Sequence, residues 1–361
     1  MAWHSDEFQE KVARVRGLMS NEGLEGVLVT SQTNFLWLTG GRPYINTVGD
    51  KACADILIMP DAIYLLANNI EADRLMNEEL AGLPIETVRY DWWDSNGFAT
   101  KLTEVSGGKA LALDSALGIK FAKLRWNLTP VELARFKETC RDVGSVLESV
   151  AWQIRPGDSE IEMANMIKVE AIRHRVEANV ALVAVDDRTL QYRHPVPTEK
   201  RMEKYAMLVI SGQKHGLYAS ASRLVHFGTP SSELRRKHRA VLAVDAALIA
   251  STVPGTLLKD VFATGMAAYK EVGFEGEWVN HHQGGLAGYG SREIKADMHT
   301  VDSVKNGQVF AWNPTIAGVK SEDTILVADH TPQILTNSSN FPTVEICYKN
   351  IVLKRPDILV R

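Results

Sequence analysis

The first readable pattern begins at residue 5, where Phe8, Val12, Val15 and Met19 recur at spacings of three and four and so share one helix face. Ser5 or Asp6 can cap the start of that helix. Gly23 stands where it should stop, because glycine adopts the left-handed conformation of a helix end without steric cost. The apolar run 26–30 then predicts a buried strand. Similar runs at 54–59, 63–67, 85–90 and 110–114 predict four more, with a helix over 70–80 among them. Strands alternating with helices predict a compact α/β domain, and Ser106-Gly107-Gly108-Lys109 is a turn within it.

The pattern changes at Thr129-Pro130. Proline suits the first turn of a helix and threonine its cap. Leu133, Phe136, Cys140, Val143, Leu147 and Val150 then keep helical spacing until Arg155-Pro156-Gly157-Asp158 interrupts it, and Ser159 starts a second helix. A related arrangement recurs around Val253-Pro254-Gly255, between a long helix and another over 257–272. Strands are predicted at 180–185 and 206–211 after the first unit, and at 309–313 and 324–328 after the second. Two helix–Pro-Gly–helix units, each followed by strands, suggest an internal duplication. The boundary between the two parts is placed near residue 125, giving domains 1–125 and 126–361.

Composition narrows the classes. The 361 residues carry a net charge of −4, which argues against a nucleic-acid groove or a membrane-surface patch. Cys53, Cys140 and Cys347 are far apart and odd in number, so a reducing compartment is expected rather than a disulfide framework. No apolar stretch approaches the roughly 18 residues of a membrane span. Residues 1–7 show no basic segment leading into an apolar run, so no secretory signal is expected and the reading is cytoplasmic.

A set of short motifs follows in a fixed order: Asn34-Phe35-Leu36-Trp37-Leu38-Thr39-Gly40, Arg155-Pro156-Gly157, His194-Pro195, and the run from Gly216 to Arg223. His281-His282-Gln283-Gly284-Gly285 and Ser321-Glu322-Asp323-Thr324 complete it. In this order the chain resembles the pita-bread family of methionine aminopeptidase, aminopeptidase P, prolidase and creatinase. The resemblance implies an α/β (α+β) fold, with an N-terminal creatinase-like domain and a C-terminal pita-bread domain of pseudo-twofold symmetry. The peptidases of that family hold two metals with two Asp, one His and two Glu. Matched motif by motif, these positions are Val209, Ser220, Gly285, Asn313 and Glu322, so one of the five ligands is retained. Two hard dications need several anionic oxygens, and this set offers one carboxylate. No metal and no cofactor are therefore expected.

Creatinase keeps the fold and hydrolyses a C–N bond without metal, and its proton-shuttling histidine matches His194. An imidazole titrates near neutrality and can accept and return a proton within one cycle. His281 matches the family histidine that binds the scissile carbonyl or leaving group, with His282 beside it. At strand spacing only one of the two would face the site. Arg292 replaces a family histidine and, as a permanent cation, suits a carboxylate. Arg223 matches a family arginine and either contacts substrate or pairs with Glu322 or Asp323. Ser220, Ser222 and Asn313 line the same region, and Ser222 stands where creatinase has the carboxylate for its guanidinium, so creatine is not the expected substrate. Lys214 and Lys320 are lesser candidates, with solvation as their default. Arg42 and Tyr44 resemble, by type, a lid loop donated by a neighbouring subunit, which implies a homodimer.

The leading expectation is a metal-independent hydrolase of an amide or amidine C–N bond in a small polar substrate carrying a carboxylate. His194, His281, His282 and Glu322 would be catalytic, and Arg223, Arg292, Ser220, Ser222, Asn313, Arg42 and Tyr44 would bind substrate. Two alternatives stay open: an Xaa-Pro-type aminopeptidase or dipeptidase with an atypical metal site, and a non-catalytic pita-bread protein that binds peptides or partners.

Overall fold

In a computed structural model, which describes residues 3–328, 331–337 and 340–361, the chain divides into two units, Met1–Arg125 and Trp126–Arg361. In the first, helix α1 (Ser5–Glu22) buries Phe8, Val12, Val15 and Met19 and ends at Gly23, with φ 65°. Its N-cap is His4 rather than Ser5 or Asp6, and no side chain caps it. A five-stranded sheet of order β4-β3-β2-β1-β5 follows, built from β1 (Gly26–Ser31), β2 (Lys51–Ile58), β3 (Ile63–Asn68), β4 (Glu86–Tyr90) and β5 (Leu111–Leu113). The motif at Asn34 forms helix α2 (Gln32–Thr39), whose cap Ser31 also donates to Asp114. The helix expected over 70–80 is shorter: α3 (Ala72–Arg74) runs into a π-helical turn, Leu75–Glu79. Helices α4 (Gly97–Ser106), α5 (Asp114–Leu117) and α6 (Ile119–Ala122) complete the unit.

In the second unit, α7 (Pro130–Gln153) and α8 (Glu160–Arg173) both begin with a capping box, Thr129 with Glu132 and Ser159 with Glu162. Each box satisfies two backbone donors reciprocally, which fixes where the helices start. Strand β6 (Glu177–Val185), the short helix α9 (Arg188–Gln191), and strands β7 (Tyr205–Lys214) and β8 (Leu217–His226) follow. Helices α10 (Ser232–Ser251) and α11 (Leu258–Glu271) then open the second half. Its sheet has the order β10-β9-β11-β14-β15, with β9 (Gly284–Ala287), β10 (Ile294–Lys295), β11 (Val309–Trp312), β14 (Asp323–Leu326) and β15 (Gln333–Ile334). The hairpin β12 (Thr315–Ile316) and β13 (Val319–Lys320) lies between β11 and β14. A second hairpin, β16 (Thr343–Tyr348) with β17 (Ile351–Pro356), precedes β18 (Leu359–Val360), which pairs parallel with β8. Helix pair then strands, twice over, is the pseudo-symmetric α/β architecture. Val241, Val244, Leu248, Phe310 and Trp312 pack in one core. Among the described residues no helix is long and apolar enough to cross a membrane.

Strands β8, β14 and β17 and helices α7 and α10 share a lattice of buried charge. Arg223 donates to Glu148 (2.9 Å) and Asp323 (3.0 Å), and Arg355 reaches Asp245 (2.5 Å) and the other oxygen of Asp323 (2.8 Å). All four distances involve side chains no more than 4% exposed, so each charge depends on its partner for solvation. Replacing Arg355 with Met leaves Asp245 and Asp323 short of a cation. A loss of about 3–5 kcal/mol is expected, read as a lower urea midpoint at an unchanged slope. A loss under about 1 kcal/mol would show that the lattice does not hold this end of the sheet.

Candidate active site

Interior strands of both halves, β7 and β8 in one sheet and β11 and β14 in the other, carry the polar side chains of one site. Pairing of β7 with β8 sets Val209 opposite Ser222 and Ser211 opposite Ser220. In the other sheet Trp312 pairs with Asp323, so the next residues outward, Asn313 and Glu322, follow at the strand ends. The backbone N–H of Ser222 donates to the Glu322 carbonyl (3.0 Å), which ties β8 to the start of β14.

Glu322 is the hub. Its Oε2 accepts from Ser222 Oγ (2.8 Å) and lies 2.8 Å from Lys320 Nζ, while Oε1 accepts from Arg292 Nη2 (3.1 Å). Burial alone would raise this carboxyl, but Lys320 and Arg292, with the hydrogen bonds from Lys320 and Ser222, hold it at about 2. Arg292 also points Nη1 at Ser220 Oγ (3.4 Å), and its Nε is a buried donor without a hydrogen-bond partner among the described residues.

The histidines form the second group. The turn after α9 carries His194, and Arg193 beside it donates to Glu277 (2.7 Å) on the 3₁₀ turn Glu277–Asn280 that leads into His281. Gln283 Nε2 fixes the same loop by donating to the His281 carbonyl (2.5 Å). His281 Nε2 lies 3.0 Å from His194 Nε2, and its Nδ1 lies 3.2 Å from the Asn313 carbonyl oxygen. The rings of His281 and His282 stack at 4.7 Å, and His282 is 6.0 Å from the His194 ring. Both members of the pair thus face the site. The expectation that only one would do so rested on strand alternation, but β9 starts at Gly284 and the pair precedes it. Burial and then the Lys320 charge push His281 down to about 2, and burial and then Arg292 push His282 down to about 4. His194 is lowered by the same causes, burial first and Lys320 second, while Glu322 pulls it the other way. All three are neutral at pH 7.

Arg223 stands apart from this group. Arg223 is fully buried in the charge lattice, where Glu148, Asp323 and the Thr336 carbonyl use its donors, so it is a structural cation. Arg42 pairs with Glu79 (2.7 Å) inside the first unit, and Tyr44 belongs to the same unit. Lys214 pairs with Glu138 and Asp142. Lys320, a lesser candidate from sequence with solvation as its default, has a side chain only 2% exposed. The one signal for it was its position two residues before Glu322.

A model of metallopeptidase family M24 matches residues 134–329, more than half of the chain. The chain belongs to the M24 family. A curated relative, the Xaa-Pro dipeptidase of Pyrococcus horikoshii, is 24% identical over 358 residues, spanning 92% of this chain and 98% of the relative. Among solved structures, a dipeptidase of Mycobacterium ulcerans superposes with a TM-score of 0.80 at 16% identity, covering 100% of this chain and 99% of that one. The N-terminal domain of a FACT complex subunit from chickpea, Cicer arietinum, superposes with a TM-score of 0.72 at 13% identity, covering 93% and 97%. These likenesses show the pita-bread fold.

The M24 pair of metals does not fit the residues present. Val209 and Gly285 offer no donor, and Ser220 and Asn313 offer neutral ones. Glu322 already serves two fixed cations. Nor does the backbone admit a histidine at Gly285. Its φ is 153°, and a Cβ there would collide with the Ile294 carbonyl oxygen and come within 2.9 Å of the Ala296 nitrogen.

The buried neutral histidines set an acid limit to stability. His281 and His282 titrate at about 2 and 4 when folded and near the ordinary 6.5 when unfolded, so between pH 6.5 and 4 the unfolded chain binds protons that the folded chain does not. Stability falls as pH falls through that window. Glu322 adds to the loss only lower, between its ordinary 4.5 and about 2. Thermal unfolding should show Tm declining from pH 7 to pH 5, with a shallower slope in a His281→Asn, His282→Asn double variant. Equal slopes would contradict burial of the neutral pair.

Proposed function

We propose that this M24 protein hydrolyses the C–N bond of a short peptide-like substrate bearing a free carboxylate, through a centre of histidines and fixed cations in place of the family's metal pair. The observation that carries this is Glu322 held between Lys320 and Arg292. Two cations and one carboxylate leave the trio with a net positive charge, which suits a substrate carboxylate or the oxyanion formed when water adds to a carbonyl. Peptide substrates are favoured over amidines because the curated relative is named an Xaa-Pro dipeptidase.

The proton path follows from hydrogen-bond logic. A backbone carbonyl only accepts, so His281 Nδ1 carries the proton toward Asn313. A neutral His281 then has its lone pair on Nε2 and accepts from His194 Nε2–H. That leaves the His194 lone pair on Nδ1, the atom we assign as the base that takes a proton from water and returns it to the leaving nitrogen. His281 positions His194 and fixes its tautomer. Ser220 and Ser222 orient Arg292 and Glu322. Because His194 lies below its ordinary 6.5, the base form is present at neutral pH, and turnover should fall only on acidification below that value. A homodimer closing over the site through Arg42 and Tyr44 belongs to the same proposal. The competing reading, a non-catalytic peptide-binding protein, draws on the loss of ligands and on the fold shared with a complex subunit.

The test is a screen of dipeptides including Xaa-Pro, N-acyl amino acids, and ureido and guanidino acids, with wild type, His194→Ala and Glu322→Gln. Turnover should fall roughly 10²–10⁴-fold in His194→Ala, the usual worth of a positioned base. Glu322→Gln should lose turnover as well, because an amide leaves Lys320 and Arg292 uncompensated. Light scattering on the same preparation should give twice the 40.0 kDa chain mass. A substrate turned over equally by both variants would overturn the site, no turnover at all would favour the binding protein, and a monomer would remove Arg42 and Tyr44.

A further inference from the structure

One ring nitrogen from each of His194, His281 and His282 lies within 4.8 Å of the others. Three imidazoles around a zinc-class ion at about 2.0–2.1 Å hold their nitrogens about 3.3 Å apart, so side-chain adjustments of about an ångström would close this triad on one ion. His281 is already set for it, since the Asn313 carbonyl holds the proton on Nδ1 and aims the Nε2 lone pair inward. His282 Nδ1 is buried without a hydrogen-bond partner among the described residues, a polar atom awaiting a ligand. None of the three is a position where M24 peptidases hold their metals, so this site is separate from the pair the chain has lost.

We propose that His194, His281 and His282 bind a single nitrogen-seeking dication such as Zn(II), and that the ion inhibits by switching the tautomer of His194. In the metal-free protein His194 Nε2–H donates to His281 Nε2. An ion between these two nitrogens replaces that proton, so His194 Nε2 becomes a lone-pair donor and its proton moves to Nδ1. Nδ1 is the atom that would take a proton from water, and once protonated it cannot. The charges around the triad set the strength of binding. Lys320, Lys295 and Arg292 repel an ion, and Glu322 offsets only one of them. The ion is therefore reversible, not resident, and an oxygen-seeking ion such as Mg(II) has nothing to prefer here.

The inhibitory half rests on His194 being the base, and the experiment separates the two. Co(II) titrated into the full-length protein should develop visible absorption that saturates at one ion per chain. Zn(II) should compete with it, and Mg(II) should not. His282→Ala should weaken Co(II) binding at least tenfold. Nitrogen NMR of His194 should show the proton on Nε2 without metal and on Nδ1 with Zn(II), a readout that needs no substrate. Where a substrate is in hand, Zn(II) should suppress turnover reversibly in wild type and much less in His282→Ala. Absence of Co(II) binding at millimolar concentration, or binding untouched by His282→Ala, would overturn the site. An unchanged His194 tautomer or full turnover of the zinc-loaded protein would overturn the switch and leave the site.

Discussion

A single carboxylate between two fixed cations organises this protein's centre. Glu322 is buried and would be unstable alone. Lys320 and Arg292 reach it at 2.8 and 3.1 Å and keep it ionised. The reverse also holds, since both cations are buried and need its charge. In an M24 peptidase the charge that such a carboxylate faces is carried by metal. Here Lys320 and Arg292 place two side-chain cations against it. The chemistry we propose for the site draws on that fixed positive charge and on neutral imidazole.

That arrangement depends on the rigid frame beside it. Asp323, the next residue, is shared between Arg223 and Arg355, and Thr336 Oγ1 donates to it as well (2.6 Å). Glu322, just before β14, bonds to the site's cations, and Asp323, the first residue of β14, bonds to the lattice. The lattice fixes the strand, the strand fixes Glu322, and the Ser222 N–H bond to the Glu322 carbonyl holds the neighbouring sheet to it. Gly284 and Gly285 let β9 come close to Ala311 and Ile294, and that closeness excludes a side chain where the family places its histidine.

Much of the fold was legible because it is written locally. The stripe of Phe8, Val12, Val15 and Met19, the cap at Thr129 and the cap at Ser159 each act within a few residues, and the order of motifs carried the family. The histidines and Glu322 were legible as candidates through the same motifs. Lys320 was legible only as a lesser candidate, because nothing local distinguishes a buried lysine from a solvated one. Its burial comes from the β12–β13 hairpin folding it back beside Glu322. The shared orientation of His281 and His282 was missed for a similar reason: alternation applies to strands, and these residues precede one. Arg223 shows the limit of motif matching, since position alone does not tell a substrate contact from a core ion pair.

We propose that Lys320 and Arg292 stand where the family uses metal. Crystals equilibrated with Mn(II), an ion that prefers oxygen ligands and so reports on the carboxylate rather than the histidines, test it most directly through an anomalous difference map. No manganese peak is expected within bonding distance of Glu322, with Lys320 and Arg292 still in contact with its oxygens. One or two manganese ions bound to Glu322, with either cation displaced, would contradict it.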